Sequence, residues 1–169
     1  MSGSFLYFAY GSNLSSKRIH INNPTATRKC IGMLKGFRLD FNNWSKRWGG
    51  HCATIVPDLN EDVWGAVWEI NSCNMPDLDR QEGVERNIYK VLDVTVKTDT
   101  NEELLCRSYQ LCSLPDNRIP FEQRLPSKIY LGTILQGANE CGLPEHYIKK
   151  LMSIDHNSFD GPVNLNQND

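Results

Sequence analysis

The stretch Phe5-Leu6-Tyr7-Phe8-Ala9-Tyr10-Gly11-Ser12-Asn13-Leu14 joins an apolar, aromatic run to a turn signal near the start of the chain. Residues 5–10 predict a buried strand, because apolar side chains follow one another without a polar break. Gly11 permits a sharp turn, and Ser12 and Asn13 favour turns and helix N-caps. Backbone N–H groups at such a turn can converge on a carboxylate or an oxyanion. The stretch therefore predicts a strand, an anion-binding turn and a helix.

A second candidate for chemistry is Gln81-Glu82-Gly83-Val84, where a predicted helix ends and a strand follows. Asn74-Met75-Pro76 begins that helix with a capping side chain and an early proline. Glu82 stands at the negative end of the helix dipole, which disfavours its charged form and raises its pKa. A glutamate with a raised pKa suits a general base. Alone, the motif is more typical of a solvated glutamate before a capping glycine.

The pattern of the whole chain predicts an α+β domain. We expect about six strands, around 5–10, 37–41, 52–56, 63–70, 89–97 and 103–111, and helices around 15–21, 74–82, 127–141 and from 144 onward. The third strand should end at Pro57, and loops should cover 42–50 and 115–126. Because the strands precede the longer helices, a small curved sheet or barrel with flanking helices is expected. One domain should span 1–163, followed by a polar tail at 164–169.

Composition excludes several classes of partner. The 169 residues carry a net charge of −2, with Lys and Arg scattered along the chain, so neither a nucleic-acid nor a membrane partner is expected. None of the six cysteines forms a CxxC pair, and no histidine lies at ligand spacing from one, which argues against a metal site. With no secretory signal visible, we expect reduced thiols and a cytoplasmic location.

Together, the two motifs resemble those of the γ-glutamylcyclotransferase family. The resemblance continues at Val63-Trp64-Gly65, Cys106-Arg107-Ser108-Tyr109 and Gly142-Leu143-Pro144, and covers the chain from Ser4 to about Val163. Related branches carry Tyr-Gly-Ser-Leu or Tyr-Gly-Thr-Leu in the first motif. Asn13 therefore indicates the branch that acts on γ-glutamyl amino acids.

The resemblance implies a small barrel whose cavity is lined by the Tyr-Gly-Ser-Asn loop. It implies that Glu82 is the general acid/base and that the loop binds the γ-glutamyl group, largely through its backbone. The implied substrate-binding residues are Tyr7, Phe8, Ala9, Tyr10, Gly11, Ser12, Asn13, Tyr89 and Tyr130. A homodimer and a small-molecule γ-glutamyl substrate are further implications of the family.

The implied reaction is an intramolecular aminolysis that needs no cofactor or metal. The α-amine of the substrate attacks its own γ-carbonyl, closes 5-oxoproline and releases an amino acid. Two alternatives remain open, a γ-glutamylamine cyclotransferase and a non-catalytic interaction protein on the same fold. Segments 42–50 and 115–127 depart from the family pattern, which leaves the preferred leaving amino acid open.

Overall fold

Five strands close into a barrel in the computed structural model, which describes residues 3–165. The strands are β1 (Ser4–Ala9), β2 (Thr27–Ser45), β3 (Gly50–Asn71), β4 (Tyr89–Thr98) and β5 (Glu103–Leu111). Their order around the barrel is β1-β3-β2-β4-β5, with antiparallel pairing except where β5 meets β1 in parallel. The helices are α1 (Ser16–Asn22), α2 (Met75–Gln81), α3 (Lys128–Cys141) and α4 (Glu145–Met152). This arrangement confirms the predicted α+β class.

Strands β2 and β3 are longer than the sequence predicted. The loop expected at 42–50 is wrong over most of its length, because β2 continues to Ser45 and β3 begins at Gly50. A tight turn joins them, closed by the Gly49 N–H, which donates to the Ser45 carbonyl at 2.9 Å. Polar and aromatic side chains here belong to a protruding β-hairpin, whose pairing the local composition did not reveal.

Pro57 does not end a strand, contrary to the prediction. It lies within β3 opposite Phe37, next to a register shift between Lys35 and Phe37. A proline lacks the N–H that a regular ladder requires, and a bulge accommodates it. The two expected strands at 52–56 and 63–70 are therefore one strand, and the barrel has five strands rather than about six.

Helix α3 is held against the β1–α1 connection and against the start of β3. Gly137 approaches the connection so closely that an added Cβ would lie 2.5 Å from backbone atoms of Leu14 and Ser15. At the other end, an added Cβ on Gly50 would clash with the backbone N of Ser127, the N-cap of α3. These two contacts set the position of α3 relative to the Gly11–Leu14 turn.

Other sequence-based expectations concern membrane-spanning helices, metal ligands, cysteines and the C-terminal tail. No helix within residues 3–165 has the length and apolar character needed to cross a bilayer. The same residues contain no cluster of three potential metal ligands, and all six cysteines are free thiols. The predicted tail at 164–169 lies outside the described residues from 166 onward.

Candidate active site

Most of the predicted site residues line one cavity, which we call the tyrosine cavity. Its volume is ≈ 40 Å³, and its lining consists of Tyr7, Tyr10, Gly11, Ser12, Asn13, Ala53, Glu82, Tyr89, Tyr109 and Tyr130. Residues from β1, β3, α2, β4, β5 and α3 meet here, so closure of the barrel assembles the site. Phe8 and Ala9 are the two predicted residues that the lining does not include. Both are fully buried in the barrel core, and Phe8 faces away from Tyr7 because successive strand residues alternate.

Glu82 is the carboxylate of this cavity, and burial raises its pKa to about 7. It caps the C-terminus of α2, and its N–H donates to the Leu78 carbonyl at 3.0 Å. Gly83 follows with φ +65°, a left-handed conformation that favours glycine. The sequence predicted the direction of the pKa change but attributed it to the helix dipole, whereas burial is the main cause. Arg18 and Arg47 oppose the change, and Asp79 reinforces it.

The side chain of Asn13 connects the first motif to the second. Its Nδ2 donates to the Tyr7 hydroxyl at 3.0 Å and lies 3.5 Å from Glu82 Oε1. Its Oδ1 accepts from Gln81 Nε2 at 2.9 Å. The family resemblance implied a largely backbone role for the loop, yet the Asn13 side chain also approaches Glu82. A leucine at this position could make none of these hydrogen bonds.

The turn at Gly11–Asn13 presents unused backbone donors. Leu14 and Ser15 donate to the carbonyls of Gly11 and Ser12, at 3.0 and 3.1 Å. Within residues 3–165, the N–H groups of Gly11, Ser12 and Asn13 have no such acceptor. Three neighbouring donors without acceptors can bind a carboxylate or a developing oxyanion.

Gly11 lies at the predicted turn after β1, and it also lines the cavity. Its φ of −116° lies outside the left-handed region, so a positive φ is not what requires glycine here. An added Cβ would instead lie 3.5 Å from the Ala53 Cβ and 3.7 Å from the Tyr130 hydroxyl. Glycine therefore keeps this part of the cavity open.

Two tyrosines bind the backbone of Ala53 in the cavity wall, one at its N–H and one at its carbonyl. The Ala53 N–H donates to the Tyr130 hydroxyl at 2.9 Å, and the Tyr89 hydroxyl donates to the Ala53 carbonyl at 2.6 Å. The hydroxyl proton of Tyr89 is therefore donated to the backbone. The Tyr130 hydroxyl accepts from the backbone, so its own proton is available to an acceptor in the cavity. The sequence predicted both side chains in the site but could not show this difference.

A second cavity of ≈ 60 Å³ adjoins the first and shares Ser12, Glu82, Tyr89 and Tyr130 with it. We call it the arginine cavity, because its remaining lining is Arg18, Arg47, Trp48, Cys52 and Gln81. Sequence reasoning named Gln81 within the second motif but missed Arg18, Arg47, Trp48 and Cys52, as it missed Ala53 and Tyr109 in the tyrosine cavity. Only the departure of segment 42–50 from the family pattern hinted at Arg47 and Trp48.

The barrel therefore contains a cavity lined by a carboxylate with a raised pKa, and comparisons with known proteins agree with its fold. A model of the AIG2-like family matches residues 62–151. The gamma-glutamylcyclotransferases of Mus musculus and Bos taurus are 42% and 44% identical over 164 residues, which is 95% of this chain and 84% of each relative. A solved structure named gamma-glutamyl cyclotransferase has a TM-score of 0.87 and 42% identity, covering 96% of this chain and 94% of its own. The chain belongs to the γ-glutamylcyclotransferase family.

Proposed function

We propose that this protein is a γ-glutamylcyclotransferase that converts a γ-glutamyl amino acid into 5-oxoproline and a free amino acid. The observation that carries the proposal is Glu82, a carboxylate with a pKa of about 7 that lines the same cavity as the Gly11–Asn13 turn and its unused backbone donors. The same observation favours an enzyme over an interaction protein, which would have no use for an open cavity around such a group.

Glu82 is proposed to carry both proton transfers. It takes a proton from the α-ammonium group, and the amine then forms a bond to the γ-carbonyl carbon. Glu82 returns that proton to the leaving nitrogen and accepts the second proton from the attacking nitrogen. The bond to the leaving nitrogen breaks, and the released amine takes the proton from Glu82. An α-amine has a pKa of ~7.8, so an ordinary glutamate at ~4.3 would face a mismatch of roughly 5 kcal/mol.

A glutamate pKa of about 7 reduces that mismatch to roughly 1 kcal/mol. The negative charge that develops on the carbonyl oxygen needs donors in place before the reaction. We assign this task to the N–H groups of Gly11–Asn13, with the Tyr130 hydroxyl as a further donor. Because the amine and the carbonyl belong to the same substrate molecule, the protein mainly has to hold the glutamyl chain in a bent conformation.

Acetylation of the substrate α-amine tests the reaction class. N-acetyl-γ-glutamyl-alanine should yield no product, because its nucleophile is blocked, while γ-glutamyl-alanine should release 5-oxoproline and alanine. Chromatography of both mixtures provides the measurement. Release of alanine from the acetylated compound would indicate hydrolysis and would contradict the proposal.

The pH dependence of kcat/KM should report the state of Glu82. Only the carboxylate can accept the first proton, so kcat/KM should fall about tenfold per pH unit below about pH 7. Initial rates at low substrate concentration between pH 5 and 8 provide the test. A rate that stayed constant down to about pH 5 would mean that a group with an ordinary carboxyl pKa, or none, controls the reaction.

Tyr130→Phe should reduce turnover about tenfold, the effect of losing one hydrogen bond of ~1.4 kcal/mol. It should also lower stability by about 1–3 kcal/mol, because the buried N–H of Ala53 loses its acceptor. Tyr89→Phe is the matched comparison, since it removes a bond to the backbone of the same residue without removing a donor from the cavity. If both variants kept full turnover, Tyr130 would have only a structural role.

The family resemblance also supports a homodimer and a cytoplasmic location as proposals. Analytical ultracentrifugation at micromolar concentration would test the first, and a species of about 19.3 kDa would contradict it.

A further inference from the structure

Arg18 is a buried cation, and two of its three guanidinium nitrogens have no hydrogen-bond partner among the described residues. These nitrogens are Nε and Nη1, and the residue is 3% exposed. Its guanidinium carbon lies 6.0 Å from the centre of the Trp48 ring. A buried charged donor without an acceptor costs at least ~1–3 kcal/mol, which a bound anion would offset.

The position of Arg18 beside Glu82 indicates where a bound anion would lie. Arg18 and Arg47 both line the arginine cavity, and Glu82 lies in the wall between this cavity and the tyrosine cavity. The charge of Arg18 lowers the pKa of Glu82, but no ion pair within 4.0 Å joins the two side chains among residues 3–165, so the guanidinium donors are not bonded to that carboxylate. Two cations facing one small cavity make it selective for negative charge.

We propose that the arginine cavity binds the α-carboxylate of the leaving amino acid, with Arg18 as its principal cation and Arg47 as a second. The inference rests on the proposed function. The glutamyl group occupies the tyrosine cavity beside Gly11–Asn13, and Glu82 touches both reacting nitrogens at the boundary. The leaving carboxylate lies only two covalent bonds beyond the leaving nitrogen, which places it on the Arg18 side of Glu82.

This assignment makes Arg18 a specificity-determining residue. A γ-glutamyl amino acid carries a carboxylate at this position, whereas a γ-glutamylamine such as ε-(γ-glutamyl)-lysine carries a methylene chain. Binding an uncharged group would leave the guanidinium buried without an acceptor, so the cavity discriminates against it. Arg47 and Trp48 come from the turn between β2 and β3, so this hairpin shapes the preference for the leaving amino acid.

Three substrates test the proposal: γ-glutamyl-alanine, γ-glutamyl-alaninamide and the isomer amidated on the glutamyl α-carboxyl group. The release of alanine or alaninamide gives kcat/KM for each. The wild-type protein should prefer γ-glutamyl-alanine over γ-glutamyl-alaninamide by about 10–100-fold, the value of hydrogen bonds to a charged group. The difference should lie mainly in KM, because both ground state and transition state bind the carboxylate.

Arg18→Gln should reduce that preference to within about threefold by the same hydrogen-bond argument. Because the preference is a ratio measured on one sample, it does not depend on the fraction of folded protein. Arg47→Gln, at a half-buried position, is the second variant and should also lower the ratio. Arg28→Gln is the matched control, because Arg28 lies 5.9 Å from the Trp68 ring and outside both cavities. It should keep the wild-type ratio.

Equal kcat/KM for the two leaving groups would overturn the inference while leaving the proposed function intact. The inference would also be wrong if Arg18→Gln lowered kcat/KM for γ-glutamyl-alanine and γ-glutamyl-alaninamide equally. It would be wrong, too, if the variant lost only the preference for a free glutamyl α-carboxylate. No release from any of the three substrates would instead overturn the proposed function, and the inference with it.

Discussion

Glu82→Gln should reduce the release of 5-oxoproline by at least about 10³-fold, because a positioned acid/base contributes roughly 10²–10⁴-fold and this one serves both proton transfers. The amide keeps the size of the side chain but cannot accept a proton. Binding should survive, since the glutamyl group is held by other residues. Titration with glutaryl-alanine, which lacks the α-amine and cannot cyclise, measures that binding separately from turnover.

Glu85→Gln is the matched control for this variant. Glu85 is exposed on the turn after Gly83 and lines neither cavity, so its activity should equal that of the wild type. If Glu82→Gln retained activity within tenfold of the wild type, Glu82 would not be the base. If it bound glutaryl-alanine no better than an unfolded sample, its lost turnover would reflect damage to the site.

The same variant should be more stable than the wild type at pH 8. The folded protein holds a proton on Glu82 up to a pKa of about 7, whereas the unfolded chain releases it near 4.5. The free energy of unfolding therefore falls as pH rises through that window. Glutamine removes this dependence, so the variant's advantage in Tm should grow from pH 5 to pH 8. A gap that stayed constant would mean that Glu82 titrates alike in both states.

Gly137→Ala should destabilise the protein by about 3 kcal/mol, at the upper end of overpacking effects. The added methyl group would meet backbone atoms of Leu14 and Ser15 at 2.5 Å, and backbone cannot rotate away as a side chain can. Relief of the clash requires displacement of the turn that carries Ser12 and Asn13. Activity should therefore fall in the fraction that remains folded, as measured by denaturant titration and 5-oxoproline release.

Gly132→Ala is a control on the same helix, and we expect it to raise stability rather than lower it. Gly132 is exposed, and an added Cβ would meet nothing within 4 Å. Alanine should stabilise α3 by up to about 1 kcal/mol through helix propensity, with activity unchanged. If both variants were equally stable, the close approach of α3 to the β1–α1 connection would not contribute to the fold.

Much of the fold was predictable because its signals are local. The apolar run at residues 5–10, the capping Ser127 and the stop at Gly142 each depend on neighbours within a few residues. Helix α3 has both predicted ends, and β1 lies within one residue of its predicted bounds. The β2–β3 hairpin was not predictable, since its extent depends on pairing between distant residues. Pro57 shows why, because only the register of the opposite strand makes a bulge available to it.

The candidate site likewise has features that the sequence predicts and features that depend on the tertiary structure. The sequence by itself determined Glu82 at the end of a helix and the Gly11–Asn13 turn, because both motifs are contiguous and resemble one family. Only the folded barrel shows that burial raises the Glu82 pKa and that the Asn13 amide lies 3.5 Å from this carboxylate, although the two residues are 69 positions apart. It also shows that Arg18, far from Glu82 in the chain, lines a cavity together with it. Desolvation and electrostatic contact depend on which side chains the closed barrel brings together, and no local pattern records that.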